Sequence, residues 1–370
     1  MSETLPDEIF YKAAKLFLKA GKMPIGVSDT IAKIVEVLLS EEQARFIARF
    51  RKTSNTFEQI KARAKDLDDE TIHEMLNGLM KVAAVTAIPS KSTGQIIYYV
   101  SPLMPGMLEF EFMKGLSEEK HKKLAKLHEQ FFDDMREMTQ GNYEKVVSMM
   151  QNAPAISRTV PVEEIIAPAD EEVVPFEEIS KLLDNSGTIA VGSCYCKHHH
   201  DLIEDPCKRT DVRKLCFVFG RSADFLIEQG FVEPCSKEEA LKIFKQCEED
   251  GLVHKVVHRG LDINREVDGI CNCCKCCCGI LGGFQQGWNV LMDITSHIAK
   301  VNEDECIGCG TCVERCNIEA VELVDDKAVV DENVCIGCGV CVPTCPSEAM
   351  NLERTELRKV FVPPRKLSEV

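Results

Sequence analysis

Apolar residues recur at helical spacing over most of the first 150 positions. Residues 6–22 (PDEIFYKAAKLFLKAGK) put Ile9, Ala13, Phe17 and Leu18 on one side of a helix, and residues 28–39 form a second apolar stretch. Ser40 and Gln43 make a capping box that opens EEQARFIARFRK. Asn55 and Glu58 suggest the same start for TFEQIKARAK, and Asp68 or Asp69 caps ETIHEMLNGLMKV. The pattern then turns strand-like at 84–88 and 96–100, on either side of PSKSTGQ.

Residues 103–150 read as one or two long amphipathic helices. Leu124, Leu127, Phe131 and Phe132 suit packing or self-association into a homo-oligomer. Met107, Met113, Met135, Met138, Met149 and Met150 read as core fillers. Residues 153–175 carry four prolines and read as an extended linker or strap. Beyond them, 176–184 looks helical and 188–191 looks like a strand. Ser236 and Glu239 box the start of a helix that runs to Asp250 and ends at Gly251. Ala240, Ile243, Phe244 and Cys247 fall on its apolar face, which makes Cys247 a buried small hydrophobe; Cys235, just before the cap, receives no role. Residues 318–330 read as a short helix and a hairpin.

Helix, helix, helix and hairpin over roughly 30–103 resemble a winged helix-turn-helix in pattern, though not in signature residues. Arg45, Arg49, Arg51, Lys52, Lys61, Arg63 and Lys65 give it a basic stretch. Residues 1–100 nevertheless carry 14 basic and 13 acidic side chains, and the helix in the recognition position opens on Asp66, Asp68, Asp69 and Glu70. Carboxylates there repel phosphate, so the charge argues against DNA and for protein docking. A generic helical domain is the plainer reading. The chain has neither an N-terminal export signal nor a run of apolar residues long enough to span a membrane.

Chemistry enters with the cysteines. There are 20, all between Cys194 and Cys345, and none in the first 193 residues. Without an export signal, such crowding points to metal sites in a reducing cytoplasm rather than to disulfides. The last eight form two runs of C-x2-C-x2-C-x3-C: Cys306, Cys309, Cys312, Cys316 and Cys335, Cys338, Cys341, Cys345. Two-residue gaps let one tight loop wrap three corners of a cubane, and Gly308, Gly310, Gly337 and Gly339 let backbone N–H groups approach the sulfides. Zinc takes four thiolates per site, usually as two separated pairs, and fits this spacing less well.

The two runs resemble the bacterial-type ferredoxin domain with two [4Fe–4S] clusters, over roughly 297–352. In that family the fourth thiolate of each run ligates the other cluster. The resemblance therefore implies Cys306, Cys309, Cys312 and Cys345 around one cluster and Cys335, Cys338, Cys341 and Cys316 around the other. Pro346 matches the usual C-P ending, whereas Asn317 stands where the first run would carry proline. Residues 296–350 hold three basic and eleven acidic side chains, which suits docking to a basic partner and disfavours nucleic acid.

A second cysteine field precedes this one. Cys194, Cys196, Cys207 and Cys216 are followed by Cys271, Cys273, Cys274, Cys276, Cys277 and Cys278 in CNCCKCCC. Thiolates this dense repel one another unless a metal neutralises them. At most about half of the 271–278 set can face one cube, by backbone geometry. The rest would serve a second cluster or a sulfur-binding surface. One or two further [4Fe–4S] clusters, on a subset of these ten, are expected, with zinc on the 194–216 set as the rival. His198, His199 and His200 read as a polar turn, with a metal role as the alternative. Arg221, Arg259 and Arg265 are scattered cations. Gly279, Gly282 and Gly283 follow cysteines, not a strand, and lack a dinucleotide fingerprint.

The G-x-C-x-C-[KR] and CNCCxCCC elements before a two-cluster ferredoxin are similar to electron-transfer proteins of anaerobes, over roughly 187–350. The expected fold class is α+β. Residues 1–105 form a winged-helix-like docking domain, 106–175 a helical segment and linker, 176–295 a cysteine-rich α/β domain, 296–352 the ferredoxin domain and 353–370 a tail. The expected function is that of a cytoplasmic iron–sulfur electron-transfer subunit. It would pass electrons to larger redox enzyme subunits, a ferredoxin or a flavoprotein, with the catalytic centre elsewhere. Two alternatives stand beside it: a redox-sensing DNA-binding regulator, and a catalytic subunit with an open cluster at 271–278.

Overall fold

A computed structural model describes residues 5–23, 25–90, 92–166, 178–258 and 262–367. The chain divides into two compact units. One comprises Met1–Phe132, His198–Asp205 and Arg221–Glu233; the other comprises Asp133–Lys197, Pro206–Gly220 and Pro234–Val370.

In the first unit, helices Glu8–Ala20, Asp29–Leu38, Glu41–Ile47, Phe57–Lys61 and Asp69–Met80 each begin on a side-chain cap. The box expected at Asn55 and Glu58 sits one residue later, on Thr56 and Gln59. Asn55 is instead buried, donating to the Lys52 carbonyl (2.8 Å) and accepting from Arg63 (2.6 Å). An antiparallel sheet orders Ser54–Thr56, Ile96–Val100 and Val85–Pro89 side by side. Several cations of the basic stretch are held at home. Arg49 forks onto Asp66 (2.5 and 3.0 Å), Lys61 meets Asp69 (2.7 Å), and Arg45 pairs with Glu41 one turn away.

Helices Leu108–Met113 and Glu119–Gly141 bring Leu124, Phe131 and Phe132 into the interior, so those side chains are used in packing. Of the methionines expected as core fillers, Met107 and Met113 are buried while Met138 and Met149 are exposed. His198–His200 lie on helix Tyr195–Leu202, not on a turn. His198 and His199 are buried, and each has Nε2 at a backbone carbonyl, of Leu116 (2.9 Å) and Ala125 (3.1 Å). Burial pushes the His199 pKa down to about 3, with His200 adding repulsion.

The second unit is organised by a mixed sheet. Met350–Val362, Leu291–Val301, Ser157–Val160, Val253–His258, Val267–Cys273, Lys214–Phe219 and Ile189–Ser193 lie side by side in that order. Helices Ile179–Asp184 and Lys237–Glu249 supply Ile179, Leu182, Ala240 and Phe244, which pack with Val191, Phe217, Val256 and Ile270 from the strands. The Ser236–Glu239 box forms and Cys247 is buried in the helix, its thiol pushed up to about 12 by burial.

Three expectations change here. Residues 157–160, read as linker, form an interior strand; residues 167–175 of that stretch lie outside those described. Residues 353–362, read as the start of a tail, continue a strand paired antiparallel with Leu291–Val301, so the expected boundary at 295/296 runs through a paired strand. Both segments escaped notice because prolines and charges flank or fill them. The 318–330 segment has its hairpin, Val321–Val324 with Lys327–Val330, but the helix lies earlier, at Thr311–Arg315.

One sheet position carries a buried ion pair. Lys255 and Asp293 are wholly buried, 2.5 Å apart, and Asp293 also accepts from Ser157 and Thr159. A pair at this depth is weak evidence of net stabilisation, but removing one partner strands a charge. Asp293→Ala is therefore expected to cost about 3–5 kcal/mol. Chemical denaturation of the full chain would measure this, and the Lys255→Met/Asp293→Leu double variant should recover much of the loss.

Candidate metal centres

The ferredoxin-like loops are shaped by backbone constraints that only glycine meets. Gly308 has φ +67° and a Cβ there would stand 2.3 Å from the Asp326 carbonyl oxygen. Gly337 has φ +63°, and a Cβ would stand 2.1 Å from that of His297. Backbone N–H groups from nearby strands and their ends point at sulfur: Ala328 at Cys306 (3.4 Å), Ala320 at Cys316 (3.2 Å) and Ala299 at Cys335 (3.5 Å). Such donors favour the thiolate form that metal binding requires.

The structure groups the eight cysteines in two sets. Cys306, Cys309, Cys312 and Cys345 line one cavity together with Val301, Ala328 and Met350. Cys316, Cys335, Cys338 and Cys341 lie within electrostatic reach of one another. Burial, then the neighbouring sulfurs of Cys316 and Cys335, push Cys338 up to about 12. Four sulfur donors so placed fit a cluster.

The ten middle cysteines also separate into two groups. Cys207, Cys274, Cys276 and Cys277 bring all four sulfurs within 4.8 Å of one another. The other six form a chain of thiol contacts: Cys196 with Cys194 and Cys278, Cys273 with Cys271 and Cys278, and Cys271 with Cys216. Backbone geometry sorts them. Cys271 and Cys273 are two apart on strand Val267–Cys273 and share a face. The chain then turns, carrying Cys274, Cys276 and Cys277 to the other group before Cys278 returns.

Three residues given no structural role in the sequence reading support this arrangement. Lys197, in the first turn of its helix, is buried and donates to the Asn272 carbonyl (3.2 Å). Burial opposes its charge, but Cys194, Cys274, Cys207 and Cys273 outweigh that and raise its pKa. Asn272 donates to the Leu215 carbonyl (2.7 Å) and meets His254 Nδ1 (2.6 Å). Asn317, in the slot where the ferredoxin pattern has proline, donates to the Gly251 carbonyl (2.8 Å) and accepts from the Lys275 N–H (3.1 Å). Its departure from the pattern was visible; its bridging role was not, because both partners are remote in sequence.

Other singled-out residues stand apart. Cys235 contacts the Ser236 carbonyl. Arg221 donates to the Pro89 carbonyl and Arg265 pairs with Asp262, while Arg259 lies outside the described residues. Residues Leu281–Gln285 form a short helix directly after the cysteines, not after a strand.

Comparison with known families matches residues 299–352 to a 4Fe-4S dicluster domain. That match supports [4Fe–4S] chemistry for this module and suggests electron transfer. No curated protein and no solved structure matches the chain.

Two substitutions test the site's framework. Gly337→Ala forces a methyl group onto the His297 carbonyl, and the visible charge-transfer absorption of the purified protein is expected to fall substantially. Asn317→Ala deletes the side-chain bonds to Gly251, Arg315 and Lys275 and leaves the buried Gly251 carbonyl without that donor, an expected loss of about 1–3 kcal/mol in denaturant unfolding.

Proposed function

We propose that the chain is an iron–sulfur electron-transfer subunit of a larger redox enzyme. In this reading Cys306, Cys309, Cys312 and Cys345 hold one [4Fe–4S] cluster, and Cys316, Cys335, Cys338 and Cys341 a second. The six-thiol group of Cys194, Cys196, Cys216, Cys271, Cys273 and Cys278 holds a third. Each cluster, when bound, takes up and releases one electron.

The observation that carries this reading is a shared core. Cys273 and Cys278 pack in the same contiguous cluster of buried side chains as Cys312, Cys316, Cys335 and Cys341. The three thiol groups thus adjoin one packed interior, which excludes water from it. Val321, Ile336, Val340 and Met350 help to fill that interior.

The first ferredoxin set supplies the end that meets a partner. Cys309 is exposed. Ile307, Leu323 and Val324 beside it are exposed apolar side chains, at 65%, 42% and 45%. Glu303, Asp304, Glu305, Asp325 and Asp326 are exposed in the same loops. An apolar spot among carboxylates suits a basic partner surface, such as that of a flavoprotein or another redox subunit. The N-terminal unit suits protein docking, since Arg45, Arg49 and Lys61 are engaged by carboxylates of their own unit. Among the described residues no helix is long and apolar enough to cross a membrane. A cytoplasmic location follows from the reading of the cysteines as metal ligands.

Anaerobic iron and acid-labile sulfide analysis, with EPR of the reduced chain, tests the proposal. About twelve of each per chain are expected for three cubanes. About eight of each would remove the third cluster and leave a two-cluster protein. Paired reversal Glu303→Lys/Asp304→Lys should slow electron transfer to a basic acceptor about tenfold at low salt, an effect that fades as salt rises. An unchanged rate would place the docking surface elsewhere.

A further inference from the structure

The thiols of Cys207, Cys274, Cys276 and Cys277 differ in geometry from those of the ferredoxin module. Cys306, Cys309, Cys312 and Cys345 stand around a cavity. The other four close on a point. Cys207 lies 3.8 Å from Cys274 and 3.7 Å from Cys276; Cys276 lies 3.4 Å from Cys274 and 3.6 Å from Cys277. A tetrahedron of sulfurs around one zinc ion, with arms of about 2.3 Å, has edges of about 3.8 Å. A cubane carries its thiolates on four separate irons, so its ligand sulfurs stand farther apart, at about 6 Å. The observed separations are those of a single ion.

We infer that Cys207, Cys274, Cys276 and Cys277 form a closed tetrahedral site for one zinc ion, separate from the iron–sulfur clusters. Four protein thiolates complete the coordination shell, and three of the four cysteines are buried, as in structural zinc sites. Soft sulfur donors in a tetrahedral set select zinc over hard cations. Supporting groups are in place. The Arg209 N–H points at Cys207 and the Lys208 N–H at Cys276, and Lys197 lies near Cys207 and Cys274. Together they offset the excess negative charge that four thiolates leave on a divalent ion.

The site pins the 206–213 loop to the 274–277 turn, two segments that flank the paired strands Lys214–Phe219 and Val267–Cys273. Zinc is redox-inert, so this group carries no electron. The inference goes beyond the electron-transfer reading and holds whether the six-thiol group binds a cluster or not.

The test is metal analysis of the full chain, purified anaerobically with zinc present during expression. About one zinc per chain, retained through dialysis, is expected alongside the iron and sulfide. X-ray absorption at the zinc edge should show four sulfur neighbours at about 2.3 Å. Chain produced with cobalt in place of zinc should show intense thiolate-to-cobalt charge-transfer absorption. Cys276→Ser should lose most of the zinc, or the cobalt bands, with iron and sulfide unchanged. Zinc at trace level, zinc edges showing nitrogen or oxygen ligands, or a Cys276→Ser loss of about four irons and four sulfides would overturn the assignment. Should that variant fail to fold, the zinc content and edge spectrum of the unaltered chain decide alone.

Discussion

Thiolate charge is the constraint on which the second unit depends. A buried thiol resists ionisation, and each neighbouring thiolate opposes it further. Cys194, Cys196, Cys207, Cys216, Cys273, Cys274, Cys277 and Cys278 are all buried within one stretch of fold. Such an interior is tolerable only if positive charge and hydrogen-bond donors are interleaved with sulfur. Lys197 provides one fixed cation near both middle groups, and backbone N–H groups provide the rest. On the proposed reading bound metal would add further positive charge, and folding and loading of this unit would then be coupled.

The sheet turns this constraint into a layout. Alternation along Val267–Cys273 assigns Cys271 and Cys273 to one face, and the tight turn that follows diverts the next three cysteines elsewhere. The ferredoxin module is built onto the same sheet, not hung from it. Its first strand, Leu291–Val301, pairs with Met350–Val362 on one side and Ser157–Val160 on the other. Arg358, from the far end of the chain, donates to the carbonyls of His297 and Cys335 beside the second ferredoxin set. Arg315 reaches the Glu248 and Glu249 carbonyls at the end of helix Lys237–Glu249, a contact that suits a cation to a helix C-terminus.

What the sequence made legible follows from the range of its signals. The ferredoxin runs, the capping boxes at Ser40 and Ser236, the hairpin strands and the burial of Cys247 all rest on spacings of a few residues, where local stereochemistry is enough. The partition of the middle cysteines was out of reach, because Cys207 meets Cys274 across 67 residues and only the folded sheet decides which sulfurs converge. Ser157–Val160 was misread for a related reason. Its short run between prolines shows no period, and its identity as a strand comes from partners at 254–257 and 293–294. The histidines misled in the opposite way. Three adjacent polar residues suggest a surface turn, but helical spacing and backbone carbonyl acceptors made them interior side chains.

Exposure distinguishes the ends of the thiol array. Cys309 is open to solvent, whereas Cys316, Cys335 and Cys341 are buried and Cys338 is half-buried. The six-thiol group beyond them is buried apart from partial exposure of Cys271. On the proposed reading an electron would meet the outside through the first ferredoxin set, where the polypeptide places its apolar spot and its carboxylates. The single-ion geometry at Cys207 draws on the 274–277 turn, which leads directly to Cys278 of the six-thiol group. A redox-inert cross-link there would hold Cys271, Cys273 and Cys278 in position without adding a competing redox site. On this argument the CNCCKCCC segment would combine the two proposed chemistries because it would have two tasks: carrying charge, and keeping the carriers in place.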